Sequence, residues 1–162
     1  MLSIWNQQPG FWFFNSSAAA GASQPHRHLQ LLPRELGAPA CPLVAEFEAL
    51  AAGNPPTKPW HHAVAVRQLP ADRTGSDLDQ AYRDLASELA LGDHGQDMHP
   101  VHPYNLLLTE HWMVMVRRRI ESHAGFSVNA LGFAGYLLAT KNSNLDWLRT
   151  SGGDALLDLV SL

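Results

Sequence analysis

Two histidines and a glutamine alternate in the run His26-x-His28-x-Gln30. On an extended strand, that spacing sets all three side chains on one face. Neutral imidazole is nucleophilic near pH 7, because its ordinary pKa is about 6.5. One ring nitrogen can attack phosphorus while an acceptor holds the other as N–H and so fixes the tautomer. Covalent attack splits one difficult displacement into two easier ones. His28 is central in the row and is the candidate nucleophile, with His26 beside it. Gln30 can donate an amide N–H to a phosphate oxygen, but it cannot act as an acid. Just upstream lies a loop of small residues holding Asn15, Gly21 and Ser23. Such a loop can bring backbone N–H groups close to an anion. Imidazoles beside a phosphate-sized nest suit nucleotidyl transfer.

A bare His-x-His is more often half of a metal site or a polar strand edge, so the surroundings must decide. His61-His62 and His99-x-x-His102 offer further imidazoles. Zinc needs three or four ligands in set geometry, and no cysteine or carboxylate partners accompany these pairs. Surface or packing roles are expected for them, and no metal site is assigned.

The elements that must position the histidines come next. The chain has 162 residues, 46% of them hydrophobic, enough for one compact domain spanning residues 1–162. A formal net charge of −4 argues against nucleic-acid binding. One cysteine, Cys41, excludes an internal disulfide framework, and its flanking prolines suggest an inert thiol. No run of about 18 apolar residues offers a membrane span, and the first residues do not read as a secretory signal. The cytoplasm is the expected compartment.

The aromatic run at 11–14 reads as a buried strand entered from a turn. A second strand is expected over 26–32, a helix over 43–52 and a strand over 61–69. The apolar rhythm of Leu78, Ala81, Tyr82, Leu85 and Leu89 predicts a helix over 76–91. Residues 104–108 and 112–116 predict an antiparallel hairpin. The stretch 128–139 fits strand or helix by pattern alone, and two short helices are expected at 144–150 and 154–160. The fold class is therefore α+β, a mostly antiparallel sheet with flanking helices.

Asn15, Gly21, Ser23, Pro25, His26, His28 and Gln30 together resemble the active-site signature of the transferase branch of the histidine-triad superfamily. Two families share it, the ATP adenylyltransferases (diadenosine tetraphosphate phosphorylases) and the galactose-1-phosphate uridylyltransferases. The wording of residues 21–30, with 104–109 and 127–135, is closer to the adenylyltransferases. The resemblance covers most of residues 11–140 and implies a histidine-triad-like fold. It also implies phosphorolysis of diadenosine tetraphosphate to ATP and ADP through an adenylyl-histidine. Ser23, Gln24, Gln30 and the backbone N–H groups of Gly21, Ala22 and Ser23 would then hold the phosphates, with Asn15 and Asn105 at the nucleotide. The ligands implied are a dinucleoside polyphosphate, ATP, ADP and phosphate. No cofactor is required, although a divalent cation such as Mg2+ can accompany the nucleotide.

The chain departs from the family in two ways. Arg117 stands where the family usually has proline. The family also carries roughly a further half-domain before the aromatic strand. On that ground an incomplete N-terminal half is expected, with an unpaired sheet edge at 11–14, self-association and little activity. The alternatives are a hexose-1-phosphate uridylyltransferase-like enzyme, a non-catalytic nucleotide-binding remnant, and a histidine-based metal-binding domain. Ser127, Asn129 and Gly132 are candidates to line a ligand site. Residues 117–119 are expected as a solvated charge run at a strand end. The five tryptophans are expected to pack in the core or at its rim, with one able to stack on a base.

Overall fold

The computed structural model describes residues 10–33, 37–92 and 100–161. The aromatic run forms β1 (Gly10–Asn15), and the chain then loops back to lay β2 (Gln30–Pro33) antiparallel along it. On its other side β1 pairs with β4 (Tyr104–Leu108). Strands β5 (Trp112–Arg117) and β3 (Val64–Gln68) complete a five-stranded sheet of order β2-β1-β4-β5-β3. Every pairing in it is antiparallel.

The expected open edge at 11–14 is therefore absent. Because 30–33 folds back along it, β1 is an interior strand, and Phe11 and Phe13 are buried. The edge position belongs to β2 instead. The expected strand over 26–32 is also shorter than its pattern. Residues 23–26 bend around Pro25, and pairing begins at Gln30, opposite Phe13.

Alternation along the strands sorts the core into two layers. Phe11, Phe13, Leu107, Val114 and Val116 face one side, against α1 (Val44–Ala51), α3 (Ala130–Phe133) and α4 (Leu145–Val160). Trp12, Leu106, Leu108, Met113 and Met115 face the other, against α2 (Gly75–Glu88). The central strand β4 is buried on both faces, which suits its run Leu106–Leu108 and obliges its one amide, Asn105, to find partners.

Local chemistry sets the element boundaries. Thr74 and Asp77 close a capping box at the start of α2. Pro59 opens a 3-10 turn over Pro59–Ala63, so the strand expected from 61 starts only at Val64. The ambiguous stretch at 128–139 holds a single helical turn, α3, capped by Asn129, whose Oδ1 accepts from the Leu131 amide at 2.9 Å. Gly152, at φ +84°, breaks α4 into the two arms expected from the sequence. Trp12, Trp60 and Trp112 are core residues, and Trp147 packs half-buried against the core. Trp5 lies outside the described residues. No helix among the described residues is long and apolar enough to cross a membrane.

Candidate active site

His26 and His28 precede β2, with ring centroids 5.1 Å apart. The Nδ1 of His28 lies 3.1 Å from the carbonyl oxygen of His26. A carbonyl can only accept, so Nδ1 must carry the proton of the neutral ring. The Nε2 lone pair is then the nucleophilic one. The backbone of the motif thus supplies the tautomer-fixing acceptor from two residues upstream. His28 is half-buried, His26 is exposed, and Gln30 is half-buried at the start of β2.

The loop before the histidines is held from beneath. Asn15 ends β1 directly opposite Asn105 of β4, and their side chains meet as cross-strand pairs do. The Nδ2 of Asn105 donates to Asn15 Oδ1 and to the Ala20 carbonyl, both at 2.7 Å. Asn15 Oδ1 also accepts from the Ala130 amide at 2.8 Å. Arg118 lies under both. Its Nη1 donates to Asn105 Oδ1 at 2.6 Å and to the Val128 carbonyl at 2.8 Å. Its Nε donates to Val160 at 3.1 Å and its Nη2 to Ile120 at 2.8 Å. The guanidinium carbon sits 5.2 Å from the centroid of the Phe133 ring. Burial pulls the pKa of Arg118 down to about 10, with the charge of Glu121 opposing. It therefore stays protonated at neutral pH.

One expectation is corrected here. Arg118 is 1% exposed and is the buried centre of a network, so 117–119 is not a solvated run. Arg117 is itself half-buried. It donates to the Leu89 carbonyl beyond α2 and to His102 Nε2, at 3.3 and 2.9 Å. Asn105 is 0% exposed and fully engaged. Its amide is spent within the protein, where it holds the loop to β1 and to Arg118.

A cavity of about 360 Å³ opens above this scaffold. Asn15, Ser16, Ser23, Gln24, His26 and Arg27 are among the residues that line it. The lining is rich in hydroxyls and amides, as a phosphate site requires. The amides of Gly21 and Ala22, however, already donate within the loop, to Ala18 and Ser17, at 2.9 and 3.0 Å. The phosphate role expected of those two N–H groups is therefore taken up by the turn itself, because a 3-10 helix over Ala18–Ala20 closes there. A larger cavity, about 410 Å³ between α1 and the β4–β5 turn, holds no residue of the histidine run.

Gly21 is required by geometry. Its φ is +83°, and a Cβ would lie 2.8 Å from Asn129 Cα and the Val128 carbonyl oxygen. Gly21→Ala is expected to cost at least about 2 kcal/mol in urea unfolding, from left-handed backbone strain and backbone overlap. Unchanged stability would mean that the loop can reshape freely.

The remaining candidates have structural partners. The Ser127 hydroxyl bonds Glu121, Asn129 caps α3, and Gly132 leaves room for Val128. Burial pushes the Cys41 thiol up to about 11, which suits an inert residue. His61 and His62 each place Nδ1 against a backbone carbonyl, of Lys58 and Pro59. His99 lies outside the described residues. Among the described residues no three His, Cys, Asp or Glu side chains gather as a metal site.

Comparison with known proteins bears on the fold. The chain shares its fold with yeast Ap4A phosphorylase Apa2, at 21% identity and a TM-score of 0.68, over 99% of this chain and 58% of that one. The same yeast enzyme in complex with AMP matches at 22% identity and TM-score 0.63, covering 96% of this chain and 56% of that one. Its complex with Ap4A matches at 21% and 0.63, covering 96% and 55%. The chain thus spans somewhat over half the length of these relatives. No curated protein sequence matches it. Residues 1–48 match the model of the Ap4A phosphorylase N-terminal domain. Residues 56–162, more than half of the chain, match that of the ATP adenylyltransferase C-terminal domain, and the chain belongs to that family.

Proposed function

We propose that the chain is a nucleotidyltransferase that phosphorolyses diadenosine tetraphosphate. The observation that carries this reading is the Nδ1–H of His28 held on the His26 carbonyl at 3.1 Å. It leaves Nε2 as the nucleophile two residues past His26, which lines a cavity of hydroxyls and amides that neither His28 nor Gln30 lines. In the first step Nε2 attacks the α-phosphorus, an N–P bond forms, and the P–O bond to the leaving chain breaks, releasing ATP. In the second step an oxygen of inorganic phosphate attacks the same phosphorus. The N–P bond breaks, ADP leaves and His28 is restored.

Ser23 and Gln24 line the phosphate cavity, and Gln30 donates its amide to the reacting phosphate. Phosphate brings its own proton and oxygen, so the second step needs no protein acid. No resident cofactor is required; a divalent cation such as Mg2+ arrives with the nucleotide. Yeast relatives in complex with AMP and Ap4A support a nucleotide ligand, and the cytoplasm suits such a substrate.

The test is product analysis with diadenosine tetraphosphate, with and without phosphate. The proposal expects equal ATP and ADP with phosphate and at most one ATP per chain without it. ATP in neither arm would overturn it. Gln30→Ala is expected to slow turnover about 10²–10³-fold while leaving it measurable, as losing one preorganised donor does. A parent-like rate would show that Gln30 does not meet the reacting phosphate.

A further inference from the structure

A second recess, which shares Arg27 with the phosphate cavity, lies on the α2 side of the sheet. It is an apolar groove of about 340 Å³, with Phe14, Tyr82, Tyr104, Leu106 and Met113 in its walls. Three aromatic rings cluster there. The centroids of Phe14 and Tyr104 are 5.8 Å apart, and those of Tyr82 and Tyr104 are 6.3 Å apart. The Tyr82 and Tyr104 hydroxyls are bonded to each other at 2.6 Å, so the phenols close on one another. Phe14 and Tyr82 are only half-buried. The rim carries one residue of each charge, Arg27 and Asp79.

Arg27 joins the two recesses, because it lines the groove and the phosphate cavity alike. Its positive charge also acts on both phenols, opposing the burial that pushes them up. From these observations we propose that the groove is a nucleobase site, taking the second nucleoside of the dinucleoside polyphosphate while Arg27 holds the phosphate chain between the two recesses. This rests on the reading of His28 as an adenylyl acceptor.

The chemistry suits a base better than an aliphatic chain. A flat heteroaromatic ring stacks on aromatic side chains whatever its sequence of substituents. A guanidinium at the mouth pairs with phosphate oxygens as a planar fork. Asp79 Oδ2 accepts from Arg83 Nε at 2.9 Å, and its other carboxylate oxygen can accept from an exocyclic amino group or a ribose hydroxyl. An anionic chain leaving the groove past Arg27 enters the hydroxyl-lined cavity and meets His26, two residues before the nucleophile.

Two measurements test the proposal. The first needs no turnover. Millimolar adenosine is added to the chain, and saturation transfer from the tyrosine rings to the adenine protons is recorded. Transfer is expected in the parent and lost in Tyr82→Ala; no transfer in the parent overturns the proposal. The second compares diadenosine tetraphosphate with adenosine 5′-tetraphosphate, which lacks only the second nucleoside. Tyr82→Ala is expected to raise the ratio of their KM values about tenfold, the size of one lost base stack. Tyr82→Phe keeps the ring and is expected to hold the parent ratio. An unmoved ratio in Tyr82→Ala, with both substrates still labelling His28, overturns the groove alone. Absence of label from either substrate strikes the catalytic reading instead, and the adenosine measurement still decides the groove.

Discussion

Arg118→Met is expected to cost the fold about 3 kcal/mol or more, because several buried acceptors lose their donor at once. Methionine fills much of the same space, so the loss arises from hydrogen bonds more than from a cavity. Asn105 Oδ1 and the carbonyls of Val128, Val160 and Ile120 would lose their donor together. A buried acceptor left without a partner costs about 1–3 kcal/mol. Relief of the desolvation that depresses the guanidinium returns part of this. Arg118→Lys is expected to fall between the two, since one ammonium cannot reach acceptors spread around a planar fork. Urea unfolding measures the loss, and a change under about 0.5 kcal/mol would show that the network is incidental. The same variant should raise KM for nucleotide, because Asn105 and Ala20 position the phosphate loop.

His28→Ala is expected to lower turnover on the order of 10⁴–10⁶-fold, the scale seen when a covalent nucleophile is removed. Stability should change little. The ring is only half-buried, and its one hydrogen bond is to the backbone two residues away. A change within about 0.5 kcal/mol is expected, as for other substitutions off the core. The pairing of a collapsed rate with an intact fold separates this variant from Arg118→Met. Equal losses of rate and stability would make His28 a structural residue.

Much of the fold is legible along the chain because strand and helix periods are local signals. The helix at 75–88, the 104–117 hairpin and the break at Gly152 follow from apolar rhythm, capping residues and glycine placement. The position of β1 does not. An aromatic run looks like an exposed edge until it is known that 30–33 folds back on it, and that pairing depends on a loop whose path the pattern does not encode.

The candidate nucleophile motif is legible for a similar reason. Residues 26, 28 and 30 are neighbours in sequence, and the tautomer-fixing carbonyl belongs to the motif itself. The support beneath it is not, because Asn15, Asn105 and Arg118 come together only through strand register. A hint was present. Asn15 ends one apolar strand and Asn105 lies near the start of another, and polar side chains on buried strands need partners. That the Gly21 and Ala22 amides donate within the turn that shapes the loop is likewise a matter of backbone path, which the residue pattern does not encode.

The most direct test of the central claim is the site of covalent labelling. The chain is mixed with diadenosine tetraphosphate carrying phosphorus label in the α position, without inorganic phosphate, then digested and mapped. The account predicts one adenylyl group per chain, acid-labile and base-stable, on His28, with the phosphorus bonded to Nε2, the nitrogen left unprotonated when Nδ1 donates to the His26 carbonyl. Label on Nδ1, label on another residue, or label that persists in His28→Ala would contradict it.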